Sequence, residues 1–166
     1  MVVLRTLAFV LAAAAAAPSH AETVLVLVRH GEKVDESEDP ELSDAGRRRA
    51  RTLARMLKDA GIEAVYSTDF IRTRETARPT AELVGKPVEI YDVGDLAVLA
   101  KSLRSRDARA LVVGHSNTIP DLVRSLGGDA GPEIASDEYD RLYILNLGAE
   151  DHTSTTVLRL PQGATP

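Results

Sequence analysis

Arg29-His30-Gly31-Glu32-Lys33 and Gly114-His115-Ser116-Asn117 carry the residue types best suited to group-transfer chemistry in this chain. Each follows an apolar run, so each sets a histidine where a buried strand stops and its loop begins. Open α/β sheets hold their chemistry at such points. Arg72 lies between the two stretches in sequence. A pair of imidazoles and a pair of guanidiniums suit an anionic phosphate ester. A neutral imidazole, titrating near ~6.5, keeps a free lone pair at neutral pH and can attack phosphorus. Attack builds charge on the equatorial oxygens, so fixed Arg donors and a second imidazole stabilise the transition state more than the free substrate. Arg suits this better than Lys because its planar fork grips two oxygens at once. Each piece also has a bland reading. His30-Gly31 reads as a loop, Gly114-His115-Ser116 as a turn into a helix, and Arg72 or Arg74 as a solvated helix face. Their joint occurrence in this order, each after a strand, singles them out.

The elements needed to hold these residues are visible along the chain. Val24-Leu25-Val26-Leu27-Val28 is a continuous run of Val and Leu, as expected of a strand buried on both faces. The acidic stretch from Val34 to Pro40 lacks periodicity and reads as an exposed loop. Ser43 is placed to cap a helix running to about Asp59 and ended by Gly61. Ala50, Leu53, Ala54 and Leu57 share one face of that helix, with Arg47, Arg48, Arg49, Arg51, Arg55 and Lys58 mostly solvated. Ala64-Val65-Tyr66 is a second strand, and a helix carrying Ile71, Ala77, Ala81 and Leu83 begins at Thr68 or Asp69. Pro79 inside it predicts a kink or a restart. Val88 to Tyr91 forms a third strand, Asp95 to Leu103 a helix, and Ala110 to Val113 a fourth strand. Asp121 to Leu126 forms a short helix stopped by Gly127-Gly128. Arg141 to Leu147 and Thr155 to Leu160 are two terminal strands, expected as an antiparallel pair at a sheet edge. Strands alternating with helices predict an α/β fold, a three-layer α/β/α sandwich with a mostly parallel sheet.

With the elements placed, a resemblance emerges from four stretches. These are Arg29-His30-Gly31; Leu42-Ser43-Asp44-Ala45-Gly46; Ser67-Thr68-Asp69-Phe70-Ile71-Arg72-Thr73-Arg74-Glu75-Thr76-Ala77; and Gly114-His115-Ser116. Together they resemble the histidine phosphatase superfamily, of phosphoglycerate-mutase-like fold. The resemblance implies that His30 is the phosphorylated nucleophile and that Arg29, Arg72 and His115 form the phosphate pocket, with Arg74 structural or on the rim. Larger members of the family carry an acidic proton donor after the third strand, in a Leu-x-Glu context. Here that stretch is Tyr91-Asp92-Val93-Gly94-Asp95-Leu96, so Asp92 and Asp95 are the candidates, with a helix N-cap as the alternative role of Asp95. Asn117 is a further candidate, either for the phosphate or for capping the helix after His115, a role Thr118 shares. Glu32 and Lys33 read as members of surface ion pairs, His152 as solvent-exposed, and Glu138-Tyr139-Asp140 as a segment near the site's mouth. The chain lacks the insertions and tail typical of phosphoglycerate mutases, and a compact, open site favours hydrolysis over transfer back to product.

Composition narrows the class further. The chain has 166 residues, 44% hydrophobic and 27% charged, enough for one domain with a genuine core. A formal net charge of -5 argues against a nucleic-acid binder but not against a local anion site. No His/Asp grouping has metal-ligand spacing, so neither a metal nor a cofactor is expected. Arg5, the apolar stretch Leu7 to Ala17, and Pro18-Ser19-His20-Ala21 form a secretory signal pattern. Cleavage is expected after Ala21, which leaves residues 22–166 as the mature domain, exported to the periplasm or medium if the source is a bacterium. The apolar run is shorter than the roughly 20 residues that span a bilayer, so stable membrane insertion is not expected. The function expected is hydrolysis of a small phosphorylated metabolite or envelope sugar phosphate. The alternatives are a protein phosphohistidine phosphatase, disfavoured by the export signal, and a non-catalytic binder of phosphorylated ligands.

Overall fold

The computed structural model describes residues 23–106, 108–148 and 152–161, so the leader expected at residues 1–21 lies outside the described residues. Alternate side chains of strand β1 (Thr23–Arg29) point into different cores. Leu25 and Leu27 join Tyr66, Val112, Ile119, Leu122 and Leu103 on one face, while Val26 and Val28 join Val65, Leu111, Val113, Leu53 and Ala77 on the other. Helices α1 (Asp44–Leu57) and α2 (Ile71–Val84) cover the second face, and α3 (Leu96–Arg104) and α4 (Thr118–Ser125) cover the first. This is the expected three-layer sandwich, and burial on both faces explains the unbroken apolar run.

The remaining strands are β2 (Ala64–Ser67), β3 (Val88–Ile90), β4 (Arg109–Gly114), β5 (Arg141–Leu147) and β6 (Thr153–Arg159). Their order across the sheet is β3-β2-β4-β1-β5-β6. Strands β3, β2, β4 and β1 are parallel, whereas β5 runs antiparallel to β1, and β6 to β5. The chain leaves β1 for the α1 face and β4 for the α4 face. Neighbouring strands whose connections part in this way open a crevice at their carboxyl ends.

Local details differ from expectation at four points. Helix α2 runs unbroken through Pro79, anchored by buried Ala77, Thr80 and Ala81, so it does not restart there. Helix α4 begins at Thr118, not Asp121, because Pro120 falls in the first turn, where a missing N–H costs no helical bond. A single 3-10 turn, Val93–Asp95, precedes α3. Arg47 and Arg49, expected to be solvated, are instead paired. Arg47 bridges to Glu75 at 2.7 Å, and Arg49 forks onto the carboxylate of Glu32 from a largely buried position.

Candidate active site

Strands β1 and β4 end side by side, with Arg29 opposite Gly114 in register. The His30 amide donates to the Gly114 carbonyl at 2.9 Å, carrying the ladder one residue past the strand. The imidazoles of His30 and His115 therefore meet edge to face, with ring centroids 5.5 Å apart. The loop after β1 is fixed by close backbone packing on α1. A Cβ on Gly31 would lie 2.9 Å from the Gly46 Cα, and one on Gly46 would lie 2.3 Å from the Glu32 carbonyl oxygen. The glycines of two distant motifs are thus required by one another. The Gly31 amide donates to Thr76 Oγ1 at 3.0 Å, and Thr76 Oγ1 donates to the Arg72 carbonyl at 2.8 Å, tying the loop to α2.

Within this frame His30 is buried, with 4% of its surface exposed. Its Nδ1 lies 2.7 Å from the Gly31 carbonyl oxygen. A carbonyl can only accept, so Nδ1 carries the hydrogen and Nε2 keeps the lone pair. Burial drives the His30 pKa down to about 3, the neighbouring charges of Arg29, His115 and Arg72 add to the shift, and the Gly31 bond opposes it. His115 Nε2 lies 3.0 Å from Thr68 Oγ1. Thr68 donates its proton to Thr73 Oγ1 at 2.9 Å, and Thr73 donates in turn to the Thr68 and Phe70 carbonyls. With those protons committed, His115 Nε2 bears the hydrogen. Its pKa falls to about 4, chiefly through burial and then through Arg72 and Arg29, with Asp39 opposing. Both rings are neutral at physiological pH.

Arg29 and Arg72 flank these rings. Arg29 Nη1 donates to the carbonyls of Ala135 at 2.9 Å and Glu138 at 2.8 Å, and its guanidinium stacks 4.1 Å from the Tyr139 ring centroid. Tyr139 in turn leans over His30, centroids 6.0 Å apart. Arg72 makes long bonds of 3.3 Å to the Glu38 carbonyl and the Asp39 carboxylate, and lies 4.4 Å from the Phe70 ring centroid. Phe70 meets His115 edge-on at 5.0 Å. The Nε atoms of both arginines are buried without a hydrogen-bond partner. Buried donors are seldom left unpaired. Two such donors beside two neutral imidazoles form a cradle for an oxyanion.

The expected residues divide clearly by position. His30, Arg29, Arg72 and His115 converge, as their electrostatic influence on one another shows. Arg74 lies on the rim, paired with Asp69. Asp95 caps α3, its carboxylate accepting from the Val98 amide at 3.2 Å, so the N-cap role is the one the structure supports. Asp92 accepts from the Gly94 amide at 2.8 Å and stands in the wall of a cleft that also includes Thr68 and Phe70. Asn117 gives α4 no side-chain cap and lines a separate depression with Pro120, Asp121 and Arg124. Thr118 takes the local role instead, accepting from the His115 amide at 2.9 Å. Lys33 pairs with exposed Glu36 at 2.6 Å, and His152 is exposed, both as expected. Thr68, Thr76 and Asp39 were not singled out in the sequence, although Thr68 immediately follows β2 as His30 follows β1.

Residues 25–93 match the model of the histidine phosphatase superfamily, branch 1. Phosphoglycerate mutase-like protein 4 of Arabidopsis thaliana is 43% identical over 80 residues, 43% of this chain, and the match spans about a third (34%) of that relative. Among solved structures, the protein histidine phosphatase SixA complexed with tungstate superposes with a TM-score of 0.66 at 20% identity, covering 82% of this chain and 96% of that one. A mycobacterial glucosyl-3-phosphoglycerate phosphatase gives a TM-score of 0.67 at 15% identity, covering 87% of this chain and 100% of that one. At these identities the two structures establish a shared fold.

Proposed function

We propose that this protein is a phosphomonoester hydrolase that works through a phosphohistidine on His30. The observation carrying this reading is the pair of unpartnered, buried arginine Nε donors beside two imidazoles held neutral. His30 Nε2 attacks phosphorus in line as the bond to the leaving oxygen breaks, and that oxygen takes a proton from an acid. Arg29 and Arg72 hold the equatorial oxygens as their charge grows, with the His115 ring beside them. Water then attacks the phosphohistidine, releasing inorganic phosphate and the free imidazole. In this reading Asp92, whose carboxylate caps the 3-10 turn in the cleft wall, is the acid, and Asp95, which caps α3 outside that lining, is not. The substrate in this reading is a small phosphorylated metabolite or an envelope sugar phosphate, the latter suiting the export signal expected at residues 1–21. Rapid quench with a labelled aryl phosphate, followed by peptide mapping, tests the intermediate. The expected result is an acid-labile, base-stable label on His30 that His30→Asn abolishes. A label on another residue, or turnover surviving that substitution, overturns the reading.

A further inference from the structure

The cleft that begins at Thr68 and Phe70 is not needed to hold a phosphate, and its walls are chemically one-sided. It has a volume of about 410 Å³ and runs past Tyr91, Ile90, Asp92 and Val93 along the carboxyl ends of β2 and β3. Its inner end adjoins the oxyanion cradle directly, since Thr68 bonds His115 and Phe70 packs between His115 and Arg72. Ile90 and Val93 lie 51% and 41% exposed on its walls and, with Phe70, give the cleft an apolar face beside the cradle. The two charged residues in the lining, Asp69 and Asp92, are both acidic, and Asp69 is already paired with Arg74 on the rim. Among the described residues no cation lines the cleft. Neither protonation state of a carboxyl supplies the positive partner that a second anionic group would need on leaving water.

We propose that this cleft binds the leaving-group half of the substrate, and that this half is an uncharged or cationic alcohol with an apolar face, not one bearing a carboxylate or a second phosphate. The inference rests on the phosphatase reading for the word "leaving", but the preference itself is a binding property. An aryl or alkyl face packs against Phe70, Ile90 and Val93, and a distal ammonium faces Asp92. A distal carboxylate meets only like charge and apolar surface.

The test uses three non-hydrolysable probes: benzylphosphonate and its 4-aminomethyl and 4-carboxymethyl derivatives, titrated calorimetrically into the mature chain. At low salt the neutral and cationic probes are expected to bind roughly threefold to tenfold more tightly than the anionic one. The gap should narrow as salt is added. Val93→Lys, which places a cation on the exposed wall, should raise the affinity for the carboxymethyl probe relative to benzylphosphonate. An anionic probe binding as tightly as the neutral one overturns the inference, as does a ratio unmoved by Val93→Lys. The matching aryl phosphates are assayed in parallel. Selective binding without hydrolysis sinks the phosphatase reading and leaves this one standing. Hydrolysis that favours the carboxymethyl ester does the reverse, and failure of every phosphonate to bind ends both.

Discussion

The wall of the site built on β1 and β4 and the wall built around β3 are held in different ways. On the first, every functional group is fixed more than once. His30 is held by a ladder hydrogen bond, by Nδ1 on Gly31 and by the Gly31–Gly46 packing, and His115 by Thr68 and by Thr118 on its amide. On the second, β3 is three residues long, and its followers Asp92 and Val93 are exposed, secured by one short 3-10 turn. Donors fixed in advance lower a barrier because they need no reorganisation when charge develops. The second wall fixes its groups less, which suits a surface that receives the rest of the substrate and carries the proposed acid, Asp92. The contrast teaches that the imidazoles and arginines sit on the firmly held side of the opening, and the proposed acid and leaving-group cleft on the loosely held side.

Substitutions that separate the two walls put this contrast at risk. His30→Asn should lower turnover of an aryl phosphate by ~10³-fold or more, since no other group takes over as nucleophile. Arg72→Ala should cost about 10²- to 10³-fold in kcat/KM, and Arg72→Lys clearly less, because Lys restores the charge without the fork. If both substitutions cost the same, the Arg72 Nε donor is not the one that matters. Asp92→Asn should slow an alkyl phosphate by ~10²-fold while sparing p-nitrophenyl phosphate, whose leaving group needs no proton. Asp95→Asn should leave both rates alone. Equal effects of these two substitutions would erase the distinction between cleft wall and helix cap.

The smallest effect lies in stability. The folded pKa of His30 is about 3 and that of His115 about 4, against 6.5 for an unperturbed imidazole. Their contribution is fully present above pH 6.5 and is lost as pH falls toward 4 and 3, because the unfolded chain takes up protons first. Between pH 7 and pH 5 each buried ring should cost about 2 kcal/mol of unfolding free energy. Urea melts at the two pH values should show His30→Asn losing less stability than the parent chain. An equal loss would mean that the imidazole is not held neutral by the fold.

The better-held wall is also the one legible in the sequence. Its residues come from short motifs at the ends of strands, and strand β1 announces itself through an unbroken apolar run. Ser43 as the cap of α1 could likewise be read directly, and its side chain accepts from the Gly46 amide at 3.2 Å. Contacts that join remote segments without periodicity were hidden. Tyr139 could be placed only near the mouth, because nothing local says that its ring stacks on Arg29. Arg49 read as solvated because its partner Glu32 belongs to a different element. Pro79 pointed to a kink or a restart, and the helix does not restart because buried neighbours on α2 outweigh the single backbone bond that proline removes.

Arg29 is bound from two directions. Its Nη1 closes the turn at Ala135 and Glu138, while its Nε is unpartnered beside the imidazoles. Glu138 is held in its turn by Arg141 and Arg159, at the start of β5 and the end of β6. An oxyanion that settles on Nε therefore pulls on the same planar group that fastens the approach to the terminal hairpin. Deuterium uptake by the amides around Ala135 to Tyr139 should slow when tungstate or phosphate is added, so that occupancy of the crevice is reported by a segment more than a hundred residues downstream of His30.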